Sequence, residues 1–371
     1  MAPSAPLWLA EPSRFARLRS GQARIAAVLL LILLAAGLGT LAVPEPPQIS
    51  TATGHQQAET DLALYEKIVA GIRYGGSGYY SVAADAMRAG GYPLQPFFTV
   101  RLPALAVVQS ALPERWTYAL LFLLAGATAF VWMQRLSEAL PRTLPRIGAG
   151  ILLLGSMLAF VQPGLAAFHE IWAALFVALS IALRRPGRWV EAVALGLIAM
   201  LIRETAALYV IVMAGLAWTD GERRETAGWG AALLIFALVM AAHAYAVAGV
   251  TGPLDAASPG WLGLEGLGLF VKAAILSTAL QLLPLWLASL LVCLALFGWL
   301  AWDNPLGLRM AVTLGAYAML IALFARLDTF YWGLMVAPVL LAGLAFAPDG
   351  LRDLWRQMLD RRIVRVQRIT R

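Results

Sequence analysis

Apolar runs of about 18–22 residues recur along this chain, separated by short loops that carry arginine. Runs of this length suit helices that cross a membrane, where backbone polar groups must be satisfied within the protein. Hydrophobic residues make up 61% of the 371 residues and charged residues only 13%, and the mean hydropathy is +0.75. A water-soluble fold cannot bury so much apolar surface, so the sequence predicts an all-α polytopic membrane protein.

The pattern predicts about ten transmembrane helices, the first of them an uncleaved signal anchor. That first run, residues 25–43, is longer than the ~7–15-residue core of a cleaved signal peptide. The segment 96–113, with a proline at each end, is predicted to lie in the membrane interface instead of crossing it. The predicted spans cover residues 25–43, 117–133, 147–161, 165–183, 190–202, 205–217, 228–247, 282–302, 310–324 and 330–346.

The distribution of arginine predicts the orientation of these spans. Ten spans place both termini and about 20 of the 28 Lys and Arg residues on one side, which the positive-inside rule assigns to the cytoplasm. The formal net charge of +7 therefore indicates orientation, not nucleic-acid binding. We expect a multi-pass protein of a bacterial-type plasma (inner) membrane. Its predicted parts are a basic cytoplasmic N-terminus (1–24), the signal anchor (25–43), a helical extracytoplasmic loop (44–115), a bundle with an outer-face cavity (116–347) and a basic cytoplasmic tail (348–371).

Within the bundle, residues 249–281 are predicted to form a second outer loop, with an interfacial helix that carries Lys272. Cys293 is the single cysteine and falls inside an apolar run, so no intramolecular disulfide can form. Cysteine and histidine nowhere have the spacing of metal ligands. We therefore predict no cofactor; a divalent metal stays open as an alternative without support from the sequence.

The first outer loop contains the candidate catalytic carboxylate. Asp61 and Glu66 lie on one predicted helix but about 140° apart around its axis, so they do not form a pair, whereas Tyr65 shares the face of Asp61. An aspartate that points into a half-apolar cavity can act as a general base. It can equally cap or solvate a loop helix.

Charged residues at the outer ends of the spans are the other candidates. Arg203 and Glu204 interrupt two apolar runs, either as a structural ion pair or with Arg203 binding a phosphate. Glu170, next to His169, suits both the first turn of a helix and a substrate pocket. The remaining candidates also fit an interfacial aromatic belt or a headgroup anchor. They are Tyr79, Tyr80, Arg88, Tyr92 and Arg101 in the first loop and Arg326, Asp328, Tyr331 and Trp332 before the last span.

This order of elements resembles the GT-C class of integral membrane glycosyltransferases. A signal anchor precedes a long outer loop with the pattern D…Y…I…G…YY…A…R…GYPL.PFF..R.P, here from Asp61 to Pro103. A span that ends in basic residues follows, and then a span that returns to an acidic residue at the outer surface, here within HE at residues 169–170. The resemblance covers roughly residues 25–216.

The resemblance implies an enzyme that moves a sugar from a polyprenyl-phosphate or polyprenyl-diphosphate carrier to a glycan, lipid or protein acceptor on the outer face. Asp61 matches the position of the catalytic base. Arg203, Lys272 and Arg326 are the candidates for binding the carrier phosphate, in that order. A transporter or flippase and an outer-face acyl or phosphoglycosyl transferase are the alternatives. The clustering of charges at one face and the lack of a visible repeat favour the glycosyltransferase over the transporter.

Overall fold

A computed structural model describes residues 5–45, 61–75 and 78–360. Parts of four predicted segments lie outside the described residues: 1–4 of the N-terminus, 46–60 of the first outer loop, 76–77 in its GGSG link, and 361–371 of the tail. The described residues form helices joined by short loops and contain no β-strand.

Fifteen α-helices are described, and short 3₁₀ turns extend several of them. Their bounds are α1 Ser20–Gly37, α2 Asp61–Gly75, α3 Tyr79–Ala89, α4 Ala104–Ala111, α5 Glu114–Ala139, α6 Thr143–Ser156, α7 His169–Leu183, α8 Val190–Ile202, α9 Ala207–Thr219, α10 Arg223–Ala248, α11 Gly266–Leu276, α12 Leu285–Ala301, α13 Pro305–Phe324, α14 Ala337–Leu340 and α15 Ala347–Leu359.

Four described helical segments are long and apolar enough to cross a membrane, namely Ser20–Ala42, Glu114–Ala139, Arg223–Ala248 and Pro305–Phe324. A fifth candidate is the pair Leu327–Met335 and Ala337–Ala345, which is bent by 54°. The other predicted spans also fall on apolar helices, but these are too short to reach across a core of about 30 Å. The protein is therefore an all-helical membrane protein, while the number ten stays a prediction.

The core lies between the helices and is rich in tryptophan. The fully buried rings of Trp132 and Trp299 meet edge to face with centroids 5.6 Å apart, and Trp299 contacts Phe346 in the same way at 5.2 Å. Helix α7 is buried around its whole circumference from His169 to Ala182, except at Phe176. A helix that is apolar on every side suits such a central position.

Helix α11 differs from its predicted place. Every residue from Gly268 to Ile275 is buried, including Lys272, and the helix contacts α13 and the 3₁₀ segment Leu327–Met335. It is therefore a core helix and not one that rests in the interface. The sequence GLGLFVKAAIL has small residues on several sides, which lets neighbouring backbones approach closely.

One end of the bundle gathers the loops that were predicted to be cytoplasmic. Arg184 forms a buried two-point ion pair with Glu225, at 3.0 and 2.7 Å, and Arg309 pairs with Asp220. The terminal segments meet at the same end. There the buried carboxylate of Asp349 in α15 accepts hydrogen bonds from the backbone amides of Leu7, Trp8 and Leu9, at 2.6, 2.7 and 2.9 Å. The segment predicted as a basic tail thus begins as a packed helix.

Candidate functional site

A cavity of about 410 Å³ lies at the opposite end of the bundle. It is formed by α2 and α3, the chain that follows them, the junction of α8 and α9, the loop before α11 and the 3₁₀ segment Leu327–Met335. Among the candidates from the sequence, its walls include Asp61, Tyr65, Tyr79, Tyr92, Arg101, Arg203, Glu204, Arg326, Asp328, Tyr331 and Trp332. Segments separated by more than 200 residues thus contribute to a single chamber.

Asp61 lies at the first turn of α2 and lines the cavity with its side chain only partly buried. Tyr65, one turn further on, is buried and lines the same cavity, while Glu66 is exposed. Burial raises the pKa of Tyr65 to about 12, so its phenol stays protonated and neutral. Its oxygen accepts a hydrogen bond from Arg101 Nε at 3.0 Å. Asp61 is thus a carboxylate beside a neutral hydroxyl that an arginine orients.

Four charged side chains of alternating sign extend from this tyrosine into the protein. Arg101 Nη1 lies 3.1 Å from Glu204 Oε1, and the same carboxylate oxygen contacts Arg203 Nη1. Arg203 Nε then donates to Glu170 Oε1 at 2.6 Å. Arg203 and Glu170 are 1% and 0% exposed, so this end of the row is shielded from solvent. The structural ion pair of Arg203 and Glu204 is present, and Glu170 joins it.

The backbone places Arg203 at this depth. Helix α8 ends at Ile202, Arg203 is extended with φ −141° and ψ 115°, and a short 3₁₀ turn leads into α9. The guanidinium also lies over the ring of Trp332, with its carbon 6.0 Å from the ring centroid. The contacts with the two carboxylates and with Trp332 hold Arg203 in place, so it is part of the cavity wall and not a freely moving side chain.

Arg326 and Asp328 form the rim of the cavity. Arg326 Nε and Nη2 donate to the two oxygens of Asp328, at 3.1 and 2.9 Å, and Nη1 donates to the carbonyl of Gly260 at 2.9 Å. The two side chains are 31% and 54% exposed. Nearby, the ring of Tyr331 packs on Phe168 with centroids 5.5 Å apart. The rim therefore carries the most accessible arginine of the cavity.

Several candidate residues do not line the cavity. Tyr80 contacts His243 Nδ1 at 3.1 Å, and Arg88 pairs with Asp255 at 2.8 Å, so both fasten α3 to its neighbours. Lys272 is buried in α11, which removes it from the predicted set of phosphate ligands at this cavity. The interfacial helix that was expected to present it is a core helix instead.

His169 and Glu170 lie behind the wall of the cavity. The imidazole of His169 is buried against the ring of Tyr65, with centroids 4.8 Å apart. Among the described residues, neither ring nitrogen of His169 has a hydrogen-bond partner, and the same holds for Glu170 Oε2. Buried polar atoms without partners are uncommon in proteins, and here they cluster next to the residues that line the cavity.

One side of the cavity is aromatic, and this side was not predicted from the sequence. Phe98 and Trp261 lie with ring centroids 4.9 Å apart, and both line the chamber. Trp261 belongs to the loop before α11, and this loop is hydrogen-bonded to the first outer loop. Leu94 N donates to Ala256 O at 2.9 Å, and Ser258 N donates to Gln95 O at 2.7 Å. No local signal in the sequence indicates this pairing, since the partners are about 160 residues apart.

The cavity offers two kinds of surface to a ligand. Its lining holds equal numbers of basic and acidic side chains, and aromatic rings flank them. The basic ones are Arg101, Arg203 and Arg326 and the acidic ones are Asp61, Glu204 and Asp328. Arginines suit an anionic group, and aromatic faces suit a sugar ring or an apolar chain. Within the part of the chain that the structure describes, no three His, Cys, Asp or Glu side chains come together as a metal site.

No protein-family model, curated protein or solved structure matches the chain.

Proposed function

We propose that the protein is a membrane glycosyltransferase with a GT-C-like arrangement of about ten spans. It takes a sugar from a polyprenyl-phosphate or polyprenyl-diphosphate carrier and transfers it to an acceptor on the extracytoplasmic face of a bacterial-type inner membrane. The observation that carries the proposal is that a partly exposed Asp61 and three arginines line one and the same cavity. An anionic lipid carrier reaches such a position from within the membrane.

In the proposed reaction, Asp61 accepts the proton of the acceptor hydroxyl or amine. The acceptor oxygen or nitrogen forms a bond to the anomeric carbon while the bond from that carbon to the phosphate oxygen breaks. The phosphate leaves with the electron pair of that bond and remains on the polyprenyl chain. Arginines stabilise this departing charge, since preorganised positive groups act most strongly away from water.

The contacts of the arginines change their predicted order. Arg203 uses Nε and Nη1 on two carboxylates and is 1% exposed, so its main role in the proposal is to hold Glu204 and hence Arg101. Arg101 and Arg326 have more accessible side chains, at 15% and 31%. These two are the proposed contacts for the carrier phosphate.

The experiment that tests this function follows the lipid product. Purified protein in proteoliposomes receives a radiolabelled polyprenyl-phosphate sugar together with acceptor-containing membranes of the producing cell. We expect the label to leave the carrier and polyprenyl phosphate to accumulate. A transporter or flippase moves the donor without breaking it, so an intact donor that merely changes leaflet would contradict the proposal.

A further inference from the structure

Arg326 differs from the other two arginines of the cavity in the nature of its partner. Arg101 bonds to a buried phenol and to Glu204, and Arg203 lies between two carboxylates inside the protein. Arg326 instead donates from Nε and Nη2 to both oxygens of Asp328, a side chain that is 54% exposed. This two-point geometry is also the one in which a guanidinium binds phosphate.

Each arginine of the cavity is already paired with a carboxylate. Arg101 and Arg203 both pair with Glu204. Arg326 pairs with Asp328. A phosphate that binds one of these guanidiniums at two points therefore competes with the carboxylate already there. Glu204 cannot move easily, because it bridges two guanidiniums. Asp328 has one ion-pair partner and reaches solvent.

We infer that Asp328 occupies, on Arg326, the place that the carrier phosphate takes when the donor binds, and that the two exchange. This inference rests on the proposed function. Exposed ion pairs stabilise proteins only slightly, so the carboxylate can turn to solvent readily. The guanidinium stays in position meanwhile, because Nη1 is bonded to the carbonyl of Gly260 and not to Asp328. Asp328 thus competes with the substrate for one side of Arg326.

A binding experiment with a short carrier tests the exchange without any need for turnover. Farnesyl phosphate is titrated into the purified full-length protein, and farnesol serves as the uncharged probe. We expect Asp328→Asn to lower the Kd for farnesyl phosphate by about two- to fivefold, as expected for removal of an exposed competing pair. The Kd for farnesol should not change.

Asp85→Asn is the matched control, because Asp85 is also an exposed partner of an arginine, 3.2 Å from Arg88, but does not line the cavity. Arg326→Gln should weaken farnesyl phosphate binding, and in the double variant the gain from Asp328→Asn should disappear. Thermal unfolding in detergent identifies any variant that has lost its fold. Asp328 is exposed, so Asp328→Asn should stay folded and its Kd can be compared directly with that of the wild type.

Three outcomes overturn the exchange: equal effects of Asp328→Asn and Asp85→Asn, an equal gain for farnesol, or no binding of farnesyl phosphate by any variant. The donor-consumption assay separates this failure from failure of the proposed function. A protein that releases sugar from its carrier, while its phosphate affinity does not respond to Asp328→Asn, retains the proposed function and loses the exchange.

Discussion

Asp61 combines access to the cavity with a neighbouring neutral hydroxyl, and this makes it the proposed base. Its side chain lines the chamber, and Tyr65 beside it is kept protonated by a pKa raised to about 12. A base must be reachable by the acceptor and must lose and regain a proton at working pH. Among the acidic residues of the lining, Glu204 is bound by two arginines and Asp328 by one, whereas no ion pair involves Asp61 within the described residues.

Asp61→Asn keeps the size of the side chain but cannot accept a proton at neutral pH. We expect turnover to fall by about 10²–10⁴-fold, the usual contribution of a general base, with donor affinity changed much less. Glu66→Gln on the exposed side of the same helix is the control and should retain activity. Near wild-type transfer by Asp61→Asn, with donor still bound, would assign the base to another residue.

Arg203 is expected to matter first for stability. Arg203→Ala leaves the fully buried Glu170 without its partner, and breaking a buried pair from one side costs about 3–5 kcal/mol. Reversible unfolding in mixed micelles measures this loss. Arg203→Lys keeps the charge but has no planar group to contact two carboxylates, so we expect an intermediate loss.

The exposed substitution Asp85→Asn should change the free energy of unfolding by less than about 0.5 kcal/mol. If Arg203→Ala is as stable as the wild type and yet fails to bind donor, Arg203 is a direct ligand and not a residue that positions its neighbours.

At the scale of elements, the 3₁₀ and short helical segments pack through very close backbone contacts. A Cβ at Gly298 in α12 would lie 1.8 Å from the carbonyl oxygen of Gly343, and one at Gly343 would lie 2.2 Å from that of Ala295. Small residues allow membrane helices to approach in this way. The contact joins α12 to the 3₁₀ segment Leu341–Ala345 and so holds the bent last pair of helices in the bundle.

Gly298→Ala should therefore destabilise the protein, by about 1–3 kcal/mol or more, because backbone atoms must shift to admit the methyl group. Gly315→Ala in α13 is the matched control, since a Cβ there meets nothing within 4 Å and alanine favours the helix. Thermal unfolding of both variants in one detergent gives the comparison. A Gly298→Ala protein whose melting temperature equals or exceeds that of Gly315→Ala would show that the two segments separate easily.

Arg88 joins α3 to the loop before α11 through Asp255, and this contact depends on pH. Arg88 lowers the pKa of Asp255 to about 2, from an ordinary 3.8. Because the folded value is the lower one, the contribution of the pair is complete above about pH 4. It is lost as the pH falls through about 2.

Amide exchange at Gly252, whose N–H donates to Asp255 at 2.8 Å, measures the contact. We expect Asp255→Asn to speed this exchange at neutral pH. The difference between variant and wild type should shrink between about pH 4 and pH 2. A difference that is unchanged across that interval would mean that the carboxylate does not hold the loop.

The sequence predicts the positions of the helices well, but not which helices are buried or which distant side chains contact each other. Each predicted span falls on helical structure, and the last one falls mostly on 3₁₀ segments. Apolar runs bounded by Pro, Gly and charge are local signals, which is why they could be found from the sequence. The burial of α11 escaped prediction, since its apolar composition suits an interface as well as a core. Arg203 and Asp328 could be selected from the sequence as charges at the ends of spans, and Asp61 as an acidic residue of the first outer loop. The contacts of Arg101 with Tyr65 and Glu204 depend on packing between distant segments.

At the scale of the whole molecule, the two ends of the bundle differ in the loops that they gather. Arg184, Arg309 and the terminal segments lie at one end, and the cavity lies at the other. This separation agrees with a single orientation in the membrane. Arginine content is the basis for placing the cavity outside.

Single-cysteine labelling determines the direction. Cys293 is fully buried and should react little with the labelling reagent. Residue 76 in the first outer loop lies outside the described residues, so the labelled position is chosen elsewhere. In intact cells we expect an impermeant maleimide to label Asp85→Cys at the cavity end. Arg188→Cys at the other end should react only after the membrane is opened. The reverse pattern would place the cavity in the cytoplasm and exclude the proposed reaction on the outer face.

The carboxylate of Asp349 also imposes an order on the making of the protein. It binds the amides of Leu7, Trp8 and Leu9, yet it leaves the ribosome only after about 340 further residues have been joined. Until then these three amides have no acceptor from α15, although the amide of Ala10 can already donate to the carbonyl of Ala139. These three contacts therefore form only after α15 has been made, and a protease that cuts before Ser13 would distinguish chains that have them from chains that do not.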